Sequence, residues 1–72
     1  MEKVECHSGF TYAERPVALT WEGQRLEVEA ILAAWRTPGE RRFRVRTRSL
    51  LIFELTYSEA DDRWQIQPIQ EK

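Results

Sequence analysis

The chain has 72 residues and a formal net charge of −1, and 42% of its residues are hydrophobic. A chain of this length forms one domain with one small core. Its near-neutral charge excludes a global field that attracts nucleic acid or an anionic membrane. Any binding to a polyanion would therefore depend on a local patch, and residues 1–72 are interpreted as a single small β domain.

Turn signals at short, regular spacing predict a meander of antiparallel strands. In chain order, the predicted strands cover residues 3–8, 15–21, 24–36, 41–48, 52–58 and 63–69. A sheet with one apolar face buries that face by curling, so we expect an all-β fold of five to six strands in a small barrel or roll. Phe10 and Tyr12 are expected to cover an open end of it.

The first turn signal is Glu22-Gly23, which predicts a two-residue hairpin loop. The second is Pro38-Gly39, which suits the centre of a type II turn closed by residues 37 and 40. Together these loops predict the pairs Leu19 with Leu26, Val17 with Val28, Ala34 with Phe43, Leu32 with Val45, and Ala30 with Thr47.

Two further loops complete the predicted meander. A three-residue loop centred on Ser49 or Leu50 and a four-residue loop over residues 59–62 keep the same alternation. The last loop pairs Tyr57 with Trp64. The inner face predicted from all four loops comprises Val17, Leu19, Trp21, Leu26, Val28, Leu32, Phe43, Val45, Phe53, Leu55, Tyr57, Trp64 and Ile66.

The segment LEVEAILAAW, residues 26–35, also favours a helix by its composition. Val28, Ile31, Leu32 and Trp35 would share one helical face. An α+β fold with a helix near residues 27–36 is therefore the alternative. A β-bulge near residues 31–34 would reconcile the two tendencies.

The stretch RRFRVRTR, residues 41–48, has five arginines, which occupy alternate positions from residue 42 onward. If Phe43 and Val45 point inward, then Arg42, Arg44, Arg46 and Arg48 point outward. The predicted register places Trp35 beside Arg42, Ile31 beside Arg46 and Glu29 beside Arg48, with Glu54 beside Arg44 or Arg46.

A solvated face with ion pairs is the first interpretation of this stripe, since Glu29 and Glu54 would neutralise two arginines. The other two would remain unpaired near an exposed Trp35. An aromatic side chain flanked by arginines on an open β-surface is also typical of sites that hold single-stranded nucleic acid or a protein. The candidate contact surface comprises Trp35, Arg42, Arg44, Arg46 and Ile31.

The sequence offers no set of catalytic residues. Cys6 and His7 are adjacent, so in a strand they point to opposite faces and cannot bind one metal ion together. Asp61 and Asp62 lie in a predicted loop, where aspartate is favoured for turn formation. We predict no enzyme activity, cofactor or metal, and we expect Cys6 to be a small buried hydrophobic residue.

A single cysteine excludes an intramolecular disulfide and is typical of a reducing compartment. No apolar run approaches the roughly 18 residues that a membrane helix needs. The first ten residues, MEKVECHSGF, lack the basic and then apolar order of a signal peptide. We expect a cytoplasmic protein that does not bind a membrane.

The segments RPVALTWEGQRLEVEAILAAW, RRFRVRT, FELTY and DRWQI resemble a small uncharacterised bacterial domain family. Its members occur as short stand-alone proteins, and a related segment is similar to the C-terminal end of ImuB-type translesion-polymerase homologues. The likeness departs at TRSLLIF, where the family usually carries a glycine turn. The resemblance implies an accessory role in DNA damage tolerance and no catalytic residues.

We therefore expect a non-enzymatic binding module with a protein partner of unknown identity. Direct binding of single-stranded nucleic acid by the same surface is the alternative. The chain is expected to be a monomer or a weak homodimer formed through an unpaired edge strand.

Overall fold

The computed structural model describes residues 3–7 and 15–69. It has six strands, which pair antiparallel with their neighbours in chain order and curl into a half-barrel. The strands are β1 (Lys3–His7), β2 (Arg15–Trp21), β3 (Gln24–Thr37), β4 (Glu40–Thr47), β5 (Ile52–Ser58) and β6 (Arg63–Ile69). The all-β prediction is confirmed, and the alternative helix near residues 27–36 is wrong because β3 is extended there. Ser8, Phe10 and Tyr12 lie outside the described residues.

The β2–β3 hairpin turns at Glu22 and Gly23, whose φ angles are 52° and 81°. Positive φ at both central positions is the type I′ turn, whose twist matches that of the two strands. Leu19 faces Leu26 across this hairpin, as predicted. The register of the first turn is therefore confirmed.

The β3–β4 hairpin turns at residues 38–39, and Gly39 has a φ of 79°. Thr37 pairs with Glu40 and Ala34 pairs with Phe43, which confirms the predicted register near the turn. Farther along, the ladder shifts twice, between Ile31 and Ala33 and between Val28 and Ala30. The predicted pairing of residues 30 and 32 with β4 is therefore wrong.

These two β-bulges decide which side chains of β3 enter the core. Ile31 pairs with Val45 and packs against the buried cluster, whereas Leu32 is the extra residue of a bulge and is 45% exposed. The sequence pattern predicted the reverse, with Leu32 on the inner face and Ile31 on the outer face. A 14-residue strand must bend to follow a half-barrel, and bulges supply that bend.

The prediction that Val17 points into the core is also wrong, since 39% of its surface is exposed. Pairing between β2 and β3 ends at Ala18 and Glu27, so the predicted pair of Val17 with Val28 does not form. β3 therefore leaves β2 at residue 28.

The β4–β5 loop is centred on Ser49, because Arg46 pairs with Ile52. The amide of Leu50 donates to the carbonyl of Thr47 at 2.9 Å, and Leu50 has a φ of 68°. A turn followed by a left-handed residue is the usual three-residue hairpin, here without glycine. The β5–β6 loop pairs Tyr57 with Trp64, as predicted.

Aromatic rings and aliphatic side chains form the core together. The buried cluster is Leu19, Phe43, Val45, Phe53 and Leu55, with Val4, Trp21, Leu26, Val28, Ile31, Trp64 and Ile66 packed against it. Trp21 meets Phe53 edge-on at 5.6 Å between ring centroids. Trp64 lies 5.1 Å from Tyr57 and 6.0 Å from Phe43, so it joins the last hairpin to β4.

An ion pair crosses the outer side of β2. Arg25 on β3 contacts Glu5 on β1 through two hydrogen bonds of 2.9 and 3.1 Å. Because β2 lies between these strands, the pair spans it, and Ala18 of β2, which pairs with Glu5 in the ladder, is fully buried. Arg25 holds the pKa of Glu5 below its ordinary value mainly through this hydrogen bonding.

Candidate functional site: the Trp35 surface

Trp35 lies on the outer face of the β3–β4 hairpin, opposite Arg42 as predicted. It is 37% exposed, and the guanidinium carbon of Arg44 lies 6.0 Å from the centroid of its ring. This is a cation–π arrangement, worth about 0.5–1 kcal/mol at an exposed site. The predicted juxtaposition of an exposed indole with the arginine stripe is confirmed.

Ile31 does not belong to this surface. The bulge between Ile31 and Ala33 turns the side chain of Ile31 inward, opposite Val45, where it packs against the core. Leu32 and Ala33 follow it and are exposed. We therefore define the Trp35 surface as Leu32, Ala33, Trp35, Arg42 and Arg44.

The two arginines of the Trp35 surface are paired with carboxylates. Arg42 contacts Glu40 at 3.1 Å and Glu54 at 3.1 Å, and Arg44 lies 3.7 Å from Glu54. The hydrogen bond from Arg42 to Glu40 is the largest cause of the raised pKa of Arg42. Glu54 pairs with Arg44 in the β4–β5 ladder, which is one of the two positions expected for it.

The remaining arginines of the stripe are paired as well. Arg46 contacts Glu29 at 3.3 Å, and Arg48 contacts Glu27 at 3.2 Å. The expectation that Glu29 neutralises Arg48 is wrong because the bulge beside residue 29 shifts the ladder. The expectation of two unpaired arginines is also wrong, and the stripe is an ion-pair network.

Sequence reasoning missed a second charged group on the opposite face of the same hairpin. Arg36 and Arg41 are paired directly across the β3–β4 ladder, where like charges repel. Glu59 contacts both, at 2.7 Å to Arg36 and 3.8 Å to Arg41. The predicted register already placed these two arginines opposite each other. A nearby carboxylate could have been inferred from their mutual repulsion.

The β5–β6 loop holds this carboxylate in place. The backbone amide of Glu59 donates to the carbonyl of Gly39 at 3.0 Å, and the hydroxyl of Tyr57 donates to Asp62 within the same loop. The bond to Asp62 raises the pKa of Tyr57. The two hairpin ends are thereby joined.

A surface hollow of about 390 Å³ lies where the two faces of the hairpin meet. It is lined by Ala34, Trp35, Arg36, Arg41 and Phe43. The lining is mixed, because Trp35 and Phe43 contribute rings and the two arginines contribute guanidinium groups that both contact Glu59.

The described residues contain no group of three or more His, Cys, Asp or Glu side chains that could hold a metal ion. Cys6 is half-buried rather than fully buried as expected, and burial raises its pKa. Over residues 3–7 and 15–69 there is no helix of the length and apolarity that crossing a membrane requires.

Family models, curated proteins and solved structures were all searched, and none matches this chain.

Proposed function

We propose that this chain is a non-enzymatic protein-binding module and that the Trp35 surface contacts its partner. The observation that carries the proposal is the exposed indole of Trp35, held against Arg44, with Leu32 also exposed three residues earlier on β3. Tryptophan and arginine are enriched among the residues that contribute most to protein–protein affinity. Contact with Arg44 on the neighbouring strand holds the Trp35 ring in place, so less conformational entropy is lost when a partner binds.

The charge pattern favours a protein over a nucleic acid as the partner. Four arginines of the stripe lie within 4 Å of four carboxylates, those of Glu27, Glu29, Glu40 and Glu54. Binding to phosphates is driven by basic side chains that displace counterions from the nucleic acid. An arginine that is already paired with a carboxylate must lose that ion pair first. A mixed, neutral rim around an aromatic centre is typical of protein interfaces.

We extend the proposal to bacterial DNA damage tolerance, with an assembly of that process as the source of the partner. The likeness to the ImuB-related domain family supports this extension. The test is whether the partner identified below is a repair or replication protein.

The experiment is site-specific photocrosslinking in cells. A benzoylphenylalanine at position 33 reports on the Trp35 surface, and the same residue at the exposed Gln65 on β6 is the matched control. We expect a protein adduct at position 33 that is absent at position 65 and lost in Trp35→Ala. The purified adduct partner should bind the wild-type chain and bind the Trp35→Ala chain at least about tenfold more weakly.

A parallel titration separates the nucleic-acid alternative. Fluorescein-labelled dT20 is titrated with the chain at 50 and 200 mM salt. Tight binding that falls steeply with salt would replace the proposed function by single-strand binding. Equal adducts at positions 33 and 65 would remove the Trp35 surface as a contact site.

A further inference from the structure

Leu50 projects from the β4–β5 loop at a cost that the fold itself does not explain. Its side chain is 71% exposed, more than that of any other large hydrophobic residue that the structure describes. Its φ of 68° is in the left-handed region, which disfavours leucine and which glycine adopts freely. A large apolar residue that is both exposed and held in a disfavoured backbone conformation is a candidate for contact with another molecule.

Hydrogen bonds around Thr47 hold this loop in one shape. The amide of Thr47 donates to the carbonyl of Leu51 at 2.8 Å, and the amide of Leu50 donates to the carbonyl of Thr47 at 2.9 Å. Thr47 is fully buried, and its hydroxyl accepts from the amide of Leu51 at 3.2 Å and lies 2.9 Å from the hydroxyl of Ser49. Residues 48–51, which we call the Leu50 tip, are therefore ordered before they meet a partner, and this lowers the entropy cost of binding.

A hollow lies directly beside the Leu50 tip. It has a volume of about 270 Å³, which is room for one leucine side chain, and its wall includes Trp21, Leu26, Phe53 and Ile69. Leu51 belongs both to the tip and to this wall, so the two features share one end of the half-barrel. Trp35 lies toward the other end, since it pairs with Arg42 near the start of β4, whereas the tip follows the end of β4.

The charges at this end specify the chemistry of an occupant. Glu22 lines the hollow, is exposed, and has no ion pair within residues 3–7 and 15–69. An occupant with a basic group close to an apolar side chain would therefore fit the hollow. The Leu50 tip has this composition, because Arg48 precedes Leu50 by two residues and its side chain is 75% exposed. Its ion pair with Glu27 at 3.2 Å is an exposed and therefore weak one, so Arg48 can also contact a carboxylate of another molecule.

We propose that the chain forms a twofold dimer in which the Leu50 tip of each copy enters the hollow of the other, with Arg48 against Glu22 across the interface. A tip and a matching hollow on one surface make that surface self-complementary, and a twofold axis forms both contacts at once. The net charge of −1 adds little repulsion between copies. This dimer goes beyond the proposed function, because it uses the end of β4 away from Trp35, and it differs from the edge-strand dimer expected from the sequence.

Sedimentation equilibrium of the full chain tests the dimer. Two tips and two hollows form a small interface, so we expect the mass to rise from one chain to two between about 10 µM and about 1 mM. Leu50→Gly should weaken association at least about tenfold, while its urea midpoint should not fall, because glycine relieves the positive φ. Leu32→Asn is the matched control, since it removes an exposed leucine from the Trp35 surface, and it should associate within about twofold of wild type.

Charge reversal tests the predicted contact between copies. Arg48→Glu and Glu22→Arg should each weaken association about tenfold, because each places like charges together across the interface. An equimolar mixture of the two variants should associate within about threefold of wild type, since both contacts of the mixed dimer again join opposite charges. An ion pair within one chain could not be restored by mixing. Circular dichroism establishes that each variant is folded.

Photocrosslinking in cells identifies the occupant directly. Benzoylphenylalanine at position 50 should give an adduct with twice the mass of the chain, and the same residue at position 33 should not give this dimer. An adduct with a different protein in place of the dimer would overturn the inference, as would a single-chain mass up to about 1 mM. A dimer that survives Leu50→Gly would also overturn it, since association would then use another surface. The proposed function is tested separately by the partner adduct at position 33, which none of these results changes.

Discussion

Replacing Ile31 and Leu32 separately by alanine tests the bulge that shapes the candidate site. The two side chains are isomers at adjacent positions, but Ile31 packs against the core opposite Val45, whereas Leu32 is 45% exposed. Truncation of a buried isoleucine costs about 2–5 kcal/mol. Because Ile31 is only partly buried, we expect about 2 kcal/mol for Ile31→Ala and less than about 0.5 kcal/mol for Leu32→Ala.

Urea unfolding followed by circular dichroism measures this difference. A chain of this size has an m-value of about 1 kcal/mol per molar urea, so the midpoint should fall by about 2 M for Ile31→Ala and by less than about 0.5 M for Leu32→Ala. Ile31→Val should lie between them, at about 1 kcal/mol. Total stability of about 4–10 kcal/mol leaves every variant folded in water. Equal midpoints, or a larger loss for Leu32→Ala, would contradict the bulged register and place Leu32 in the core.

Two further variants test the turn and the outer ion pair. Gly39→Ala should destabilise the protein by about 1–2 kcal/mol, because the left-handed backbone disfavours a side chain even though a Cβ there meets nothing within 4 Å; an unchanged melting temperature would contradict this. Glu5→Gln should be less stable than wild type at pH 7, because Arg25 lowers the pKa of Glu5 from its ordinary value of 4.5, so that the ionised carboxylate stabilises the fold above that pH. The difference in melting temperature should disappear as the pH falls through the lowered pKa, and a difference that does not change with pH would argue against the ion pair.

Turn chemistry made most of the fold predictable. The residue types at 22–23 and 38–39 are each compatible with few turn geometries. Each turn then fixes the register of the two strands that it joins. The β4–β5 loop carries no such signal, and alternation left both Ser49 and Leu50 open as its centre, because either choice keeps Phe53 on the face of Val45. Leu50 occupies there the left-handed position that glycine usually takes.

The sequence suggested a β-bulge near residues 31–34, and one lies between Ile31 and Ala33, but the sequence showed neither which residue is extra nor the second bulge, because the residues around them are nearly all apolar. In Ala30–Ala34, every side chain is compatible with either face, so alternation gives no sign of an extra residue. Two wrong predictions follow from this ambiguity: Ile31 was placed on the outer face, and Glu29 was paired with Arg48 although it contacts Arg46. Trp35 was placed correctly because it lies between the bulges and the turn that sets its register.

The bulges also connect the fold to the proposed site. One shift in the ladder falls between Val28 and Ala30, just where β3 stops pairing with β2 at Glu27. A bulge bends its strand and ends pairing on one side, so among the described residues β3 continues past β2 paired with β4 alone. The same bend accompanies the exposure of Leu32 and Trp35, the two large apolar side chains of the Trp35 surface.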